Sequence, residues 1–322
     1  MIQSVDQKDQ KILSLLDFDA RLPLSEIARQ TSLSKQSVDY RLRSLIKRGV
    51  IEGFFPIINT PLLGYPYCRL SVQFRQLDPQ TKQTFLAYVF GHKKLFWAFE
   101  LGGEFDFLLV FWPETISDFT EIVADFKTRF GNVVIRTSEQ IVTNVIHLSH
   151  KIFKPVHPRR FDLMETPDRF RLDEADKAVL RELSLDARAS SVTIAQKTNL
   201  APKTVSYRIK KMENARFIAG YRPILNYEKL GLTYYKVFLN LSAKKLSDVK
   251  KFEQFLVGHP MVLFVVEGVS MPGDVDFELL AESNQAFFDF IASAKNAFPG
   301  LVADYKYLIF TKTVKVNYLP FI

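Results

Sequence analysis

Two stretches of this chain carry side chains of the kind that donate hydrogen bonds to phosphate oxygens and to the edges of bases. In the first, Lys35, Gln36, Ser37, Asp39, Tyr40, Arg41, Arg43 and Lys47 surround apolar Val38, Leu42 and Leu45. Those three lie at i, i+4 and i+7, so they share one side of a helix and leave Lys35, Gln36, Asp39, Tyr40, Arg43 and Lys47 on the other. The second stretch repeats the arrangement with Lys203, Thr204, Ser206, Tyr207, Arg208 and Lys210. A helix with such a face can lie in the major groove of double-stranded DNA, with Arg43 and Lys210 placed to meet phosphates. The plain alternative is a solvated charged face, and the repetition of the whole context favours DNA. Arg41 and Arg208 stand nearer the apolar side, where contact with DNA competes with pairing to Asp9 and Asp176.

A second kind of chemistry is suggested by two glycine-rich turns. Gly102 and Gly103 with Asp106, and Gly273 with Asp274 and Asp276, bring backbone donors and carboxylates together as a small-molecule site would. A tight hairpin turn with acidic solvation explains the same residues equally well. Catalytic patterns are scarce. The histidines His92, His147, His150, His157 and His259 are scattered, and the chain has no Gly-x-Ser-x-Gly, phosphate-loop or dinucleotide-binding fingerprint. No catalytic residue, metal or cofactor is therefore expected. Cys68, the single cysteine, rules out an intrachain disulfide and fits a reducing cytoplasm.

The elements that must position these residues occur twice. A shift of 167 lays residues 6–59 on 173–226 without a gap, matching among others Asp6, Asp9, Ala20, Arg21, Ile27, Val38, Tyr40 and Arg41 with Asp173, Asp176, Ala187, Arg188, Ile194, Val205, Tyr207 and Arg208. Farther on, Gly103–Phe107 is matched with Gly273–Phe277, which enlarges the offset by three. Each head reads as three helices and a wing. Residues 7–17 form a helix capped by Asp6, Pro23–Gln30 a second, and Ser34 caps a third that Gly49 ends. Val50–Phe55 is a short wing ended by Pro56. Each tail reads as βαββαβ, the ferredoxin-like order, with so many aromatics that the sheet is apolar on both faces and needs a partner.

The 322 residues, 47% apolar and 24% charged, can build packed cores, and no uncharged apolar run is long enough for a membrane helix. The excess of 43 Lys+Arg over 35 Asp+Glu gives +8. It falls on the heads and the segment between the repeats, as expected for a polyanion partner. The expected organisation is a winged helix-turn-helix at 1–60, a ferredoxin-like domain at 61–146, a linker at 147–171, a second winged helix-turn-helix at 172–226 and a second ferredoxin-like domain at 227–322. The fold class is α+β.

The stretch LDFDARLPLSEIARQTSLSKQSVDYRLRSLIKRGVIEGFFPIIN and its echo LSLDARASSVTIAQKTNLAPKTVSYRIKKMENARFIAGYRPILN resemble the winged helix-turn-helix of the Lrp/AsnC transcription regulators. The tails resemble that family's ligand-sensing domain, and the resemblance spans nearly the whole chain. It implies a cytoplasmic transcription regulator that binds double-stranded DNA and answers to a small molecule, an amino acid being the usual kind. Family members usually carry one head and one tail and pair through their tails. Two tails in one chain then imply an internal pseudo-dimer, with homo-oligomers of the chain as a further expectation. Because the heads differ at Lys35-Gln36-Ser37-Asp39 and Pro202-Lys203-Thr204-Ser206, the two DNA half-sites are expected to differ. Two alternatives go with the same fold: a tetrapyrrole enzyme resembling the sirohaem decarboxylases, and an effector-sensing scaffold with degenerate heads.

Overall fold

A computed structural model of the protein describes residues 2–164, 169–242 and 245–320. In chain order the elements of the first repeat are α1 (Gln7–Leu16), α2 (Leu24–Thr31), α3 (Lys35–Lys47), β1 (Ile51–Ile58), β2 (Tyr67–Phe74), α4 (Pro79–Gly91), β3 (Leu95–Gly102), β4 (Phe107–Phe111), α5 (Ile116–Phe130) and β5 (Val134–Leu148). A short strand, β6 (Arg160–Met164), follows. The second repeat is α6 (Glu174–Leu185), α7 (Ser191–Thr198), α8 (Pro202–Asn214), β7 (Ile218–Leu225), β8 (Thr233–Leu241), α9 (Leu246–Gly258), β9 (Val262–Val269), β10 (Val275–Ala281), α10 (Asn284–Ala297) and β11 (Val302–Val316). These form two compact units. One comprises Met1–Leu63, Leu148–Phe161 and Asp168–Leu232, and the other Gly64–His147, Asp162–Pro167 and Thr233–Ile322.

The first unit gathers both heads. In each, local chemistry fixes the helices: Asp6 and Asp173 cap α1 and α6 by accepting the backbone N–H of Asp9 and Asp176. The corner between the second and third helices passes through left-handed Ser32 and Asn199, at equivalent positions. Apolar stripes close the cores, Ile12, Leu13, Leu16, Ile27, Val38, Leu42 and Leu45 in one and Val179, Leu180, Leu183, Ile194, Val205, Ile209 and Met212 in the other. Each such side chain contributes about 1.5–3 kcal/mol on burial. The wing was expected to end at Pro56, yet β1 continues to Ile58 with Pro56 opposite Tyr221. The sheet here has two strands, β1 and β7, so both are edges, and an edge tolerates a residue that cannot donate.

That β1–β7 pairing joins the heads as near copies about a local twofold. Arg21 donates to the carbonyls of Ala187 and Ala189, and Arg188 donates to those of Ala20 and Leu22. The Arg21 guanidinium lies 5.4 Å from the Tyr221 ring centroid and that of Arg188 lies 5.5 Å from Phe54. Residues expected to form a linker also belong to this unit. Ser149 and Arg159 are bonded through their backbones, and buried His150 reaches Asp17, Arg222 and Tyr227. The linker positions Glu165–Asp168 lie outside the described residues.

The second unit is built on one sheet. Each tail has the ferredoxin-like strand order, β5-β2-β4-β3 in the first and β11-β8-β10-β9 in the second. The edges of the two join at β3–β11 and again at β5–β9. Eight antiparallel strands thus close into a barrel, which removes the exposed edges a four-stranded sheet would keep. One face of the first tail packs Cys68, Leu70 and Val72 against Phe85, Val89, Phe119 and Phe126 of its helices. The other faces the barrel interior, where Phe96, Leu108, Val110 and Trp112 meet Phe238 and Leu308 of the second tail. The second face anticipated from the sequence is this interior, apolar around these residues but charged at Arg69, Lys236, Asp276 and Glu278.

Candidate nucleic-acid interface

The reading face of the first head is carried by α3. Ser34 caps it by accepting from the Ser37 backbone N–H at 3.1 Å, and Gly49 ends it at a φ of +68°. With Val38, Leu42 and Leu45 buried, Lys35, Gln36, Tyr40, Arg43 and Lys47 are exposed, while Ser37 and Asp39 are half-buried. Tyr40 is 75% exposed, an unusual setting for a large aromatic. Beside it opens a cavity of about 450 Å³ lined by Gln36, Ser37, Tyr40, Arg41, Ser44 and Arg48 over Asp9.

The second face, on α8, is built with Pro202 in the first turn in place of a side-chain cap. Lys203, Ser206, Tyr207 and Lys210 are exposed and Thr204 is half-buried. Tyr207, the equivalent of Tyr40, is 69% exposed. Both heads therefore offer an aromatic flanked by donors from a helix whose other side is locked in a core.

Arg41 and Arg208 are engaged elsewhere. Arg41 pairs with Asp6 at 2.7 Å and Asp9 at 2.8 Å, and Arg208 with Asp173 at 2.8 Å and Asp176 at 2.7 Å. Of the two roles the sequence left for them, the geometry shows the internal one: each clamps the third helix of its head to the start of the first. Hydrogen bonds to Asp9 and Asp6 hold the Arg41 guanidinium above its ordinary pKa, so the clamp stays charged.

The glycine turns prove to be tightly built. Gly103 has a φ of +135°, and a β-carbon there would stand 2.8 Å from Leu308 Cδ2. A β-carbon on Gly273 would stand 2.8 Å from the Leu239 carbonyl oxygen, and Gly102 pairs with Ile309 in the sheet. Asp106 accepts from the Phe74 N–H at 2.7 Å, and Asp274 from the Leu241 N–H at 2.8 Å.

This last pair corrects the internal alignment. Val72 stands opposite Phe107, and its equivalent Leu239 stands opposite Val275, so the offset grows by one rather than three. The counterpart of Asp106 is Asp274, while Asp276 and Glu278 replace Leu108 and Val110. Asp276, expected at the turn, is in fact buried in the barrel. Its carboxylate is 2.6 Å from Lys236 and 3.2 Å from Arg69, with Glu278 3.2 Å from Lys236. Burial pushes the Asp276 carboxyl pKa up against the opposing pull of the two cations.

Sequence reasoning missed this quartet and the Asp17–His150–Arg222 cluster. One signal was present for the first: Tyr67 and Arg69 recur at the same repeat positions as Tyr234 and Lys236. No comparable signal marked the second, whose members lie far apart in the chain and have no repeat counterparts. Among the described residues no group of three or more His, Cys, Asp or Glu is placed to hold a metal.

Comparison with known proteins agrees with this geometry. A profile described as "Winged helix-turn-helix DNA-binding" matches residues 5–52 and again 172–219, the two heads. The leucine-responsive regulatory protein of Rhizobium meliloti is 33% identical over 127 residues, covering 38% of this chain and 79% of that protein. The chain belongs to the Lrp/AsnC family. Among other family relatives, the HTH-type transcriptional regulator LrpA of Pyrococcus horikoshii is 41% identical over 61 residues, 19% of this chain and 43% of that protein. The chain thus spans less than half the length of that archaeal relative. The siroheme decarboxylase NirDL shares the duplicated fold over 96% of this chain and 92% of its own, with a TM-score of 0.61 and 13% identity, a likeness of fold alone. Lrp/AsnC membership accounts for the heads, and the duplication accounts for the pairing of like parts within one chain. Among the described residues no helix is long and apolar enough to cross a membrane.

Proposed function

We propose that the protein is a cytoplasmic, sequence-specific DNA-binding transcription regulator that responds to a small molecule such as an amino acid. The observation that carries this reading is the pair of exposed basic helix faces, on α3 and α8, presented by heads that are joined by their own wings. Lys35, Gln36, Ser37, Asp39, Tyr40, Arg43 and Lys47 supply one contact surface, and Lys203, Thr204, Ser206, Tyr207 and Lys210 the other. Arg41 and Arg208 support those helices from behind. For the effector, the relative named for leucine response supports an amino acid. Gly102, Gly103, Asp106, Gly273 and Asp274 remain the proposed contacts, now with turn-building roles of their own, and Asp276 drops out.

Fluorescence anisotropy with the duplex upstream of the protein's own gene, at several salt concentrations and with amino acids added in turn, tests this reading. Specific binding over competitor DNA with a steep salt dependence is expected. Weak binding, equal for all sequences, would overturn it in favour of an effector-sensing scaffold.

The fold shared with NirDL over nearly the whole chain supports one second reading, a tetrapyrrole-carboxylate enzyme. Titration with an iron-uroporphyrin probe decides it. A shifted Soret band with release of carbon dioxide from sirohaem would establish the enzyme, and an unchanged spectrum would remove it.

A further inference from the structure

The two reading faces differ at one pair of equivalent positions. On α3 the Arg43 Nε lies 3.0 Å from an Asp39 carboxylate oxygen, an i,i+4 pair in which Arg43 is 79% and Asp39 38% exposed. At the equivalent positions α8 has Ser206 and Lys210. The Ser206 hydroxyl bonds to Ser191 at 2.9 Å, and Lys210 is exposed and has no acidic partner among the described residues. At this one position the first face thus carries a compensated cation where the second carries a bare one, while Lys35 and Lys47 stay exposed on the first face.

We propose that Asp39 makes the Arg43 phosphate contact of the first head conditional on sequence, while Lys210 of the second head makes its contact on any sequence. This deepens the DNA-binding reading and rests on it. The chemistry follows from what each group can do. A carboxylate facing a phosphate repels it, while a carboxylate facing the major-groove edge of a base accepts a hydrogen bond from an exocyclic amino group, that of cytosine above all. An exposed i,i+4 ion pair is weak, so a base that supplies such a donor competes for Asp39 and frees Arg43 for a neighbouring phosphate. A base that presents only acceptors leaves Asp39 bound to Arg43, and the first head gains neither contact. Ser206, which can both donate and accept, imposes no such condition, and Lys210 meets the backbone on any sequence. The operator accordingly has a permissive half and a selective half, the selective half containing a cytosine opposite Asp39.

The test uses the full-length chain, selection from random duplexes, and anisotropy at several salt concentrations. Lys210→Ala is expected to lower the salt slope on random DNA by about one and to weaken binding about tenfold, as loss of a phosphate contact does. Arg43→Ala should leave the slope on random DNA unchanged and lower it only on the selected operator. Asp39→Ser should raise the slope on random DNA by about one and erase the cytosine preference in the selective half. Ser206→Asp should create that preference in the other half. Arg43, Ser206 and Lys210 are exposed and Asp39 is half-buried, and matching thermal melts confirm that each variant is folded. Equal losses of slope for Arg43→Ala and Lys210→Ala on random DNA, or an unaltered half-site preference in Asp39→Ser, overturn this inference while leaving the regulator reading intact. Failure of the unsubstituted chain to prefer any duplex over competitor overturns both.

Discussion

Arg21 and Arg188 each reach across to the other head and donate to two backbone carbonyls there, on equivalent positions of the repeat. Each also lies against an aromatic ring of a wing strand, Arg21 on Tyr221 and Arg188 on Phe54. The heads are thereby held by a reciprocal pair of clamps around the β1–β7 ribbon, a two-stranded sheet that by itself would be marginal in water. Their spacing is then a property of the single chain and needs no second copy.

Removing either clamp should loosen this arrangement. Arg21→Ala and Arg188→Ala are each expected to cost about 1–3 kcal/mol, the worth of charged hydrogen bonds whose carbonyl partners are left behind. Urea unfolding followed by circular dichroism measures the loss, and a wild-type midpoint in both variants would show that the wings suffice.

The barrel interior predicts a larger effect. Lys236 bridges Asp276 and Glu278, so Lys236→Met leaves two buried carboxylates with Arg69 as the cation and the Tyr234 hydroxyl as a further donor to Glu278. A loss of about 3–5 kcal/mol is expected, as when one partner of a buried ion pair is deleted. The midpoint of chemical unfolding checks it.

Gly103 is constrained twice, by its φ of +135° and by Leu308 at 2.8 Å from where a β-carbon would stand. Gly103→Ala should destabilise by about 1–3 kcal/mol, while Gly91→Ala, where a β-carbon would meet nothing within 4 Å, serves as the tolerant control. Equal melting temperatures for the two variants would contradict this reading of the turn.

Stability should also depend on pH through His150. Burial holds its pKa below the ordinary value, with Asp17 pulling up and Arg222 pushing down, and the Tyr227 hydroxyl lies 2.9 Å from Nε2. The unfolded chain, with a histidine pKa of about 6.5, therefore takes up the proton first. Stability is full above that pH and declines as pH falls toward the lower folded value. His92, also depressed chiefly by burial, adds a contribution of the same sign. Asp17, held well below the usual carboxylate range by Arg222 and His150 despite burial, contributes only in stronger acid. His150→Gln should flatten the decline below pH 6.5 without abolishing it, and unfolding free energies measured from pH 7.5 to 5 will show whether the slope changes.

The sequence by itself determined the duplication, the helices of both heads, the side of α3 and α8 that faces outward, and the βαββαβ order of the tails. The duplication is read from the ungapped match at a shift of 167, and the others rest on signals within a few residues of one another: a cap at Asp6 or Ser34, a stripe at Val38, Leu42 and Leu45, and the alternation along β2. Only the tertiary structure decided the rest. A period-two pattern is unchanged by a slip of two residues, so it could not tell that Asp274 rather than Asp276 answers Asp106, and the hydrogen bonds to Phe74 and Leu241 settle it. Nor does a strand record which edge it will meet, and closure through β3–β11 and β5–β9 follows from two sheets that each need an apolar face covered and two edges paired. Arg41 and Arg208 make the same point in miniature. Their residue type suited DNA, but the buried carboxylates of Asp9 and Asp176 needed a cation nearby, and an unpaired charge in a core costs more than a contact at the surface gains.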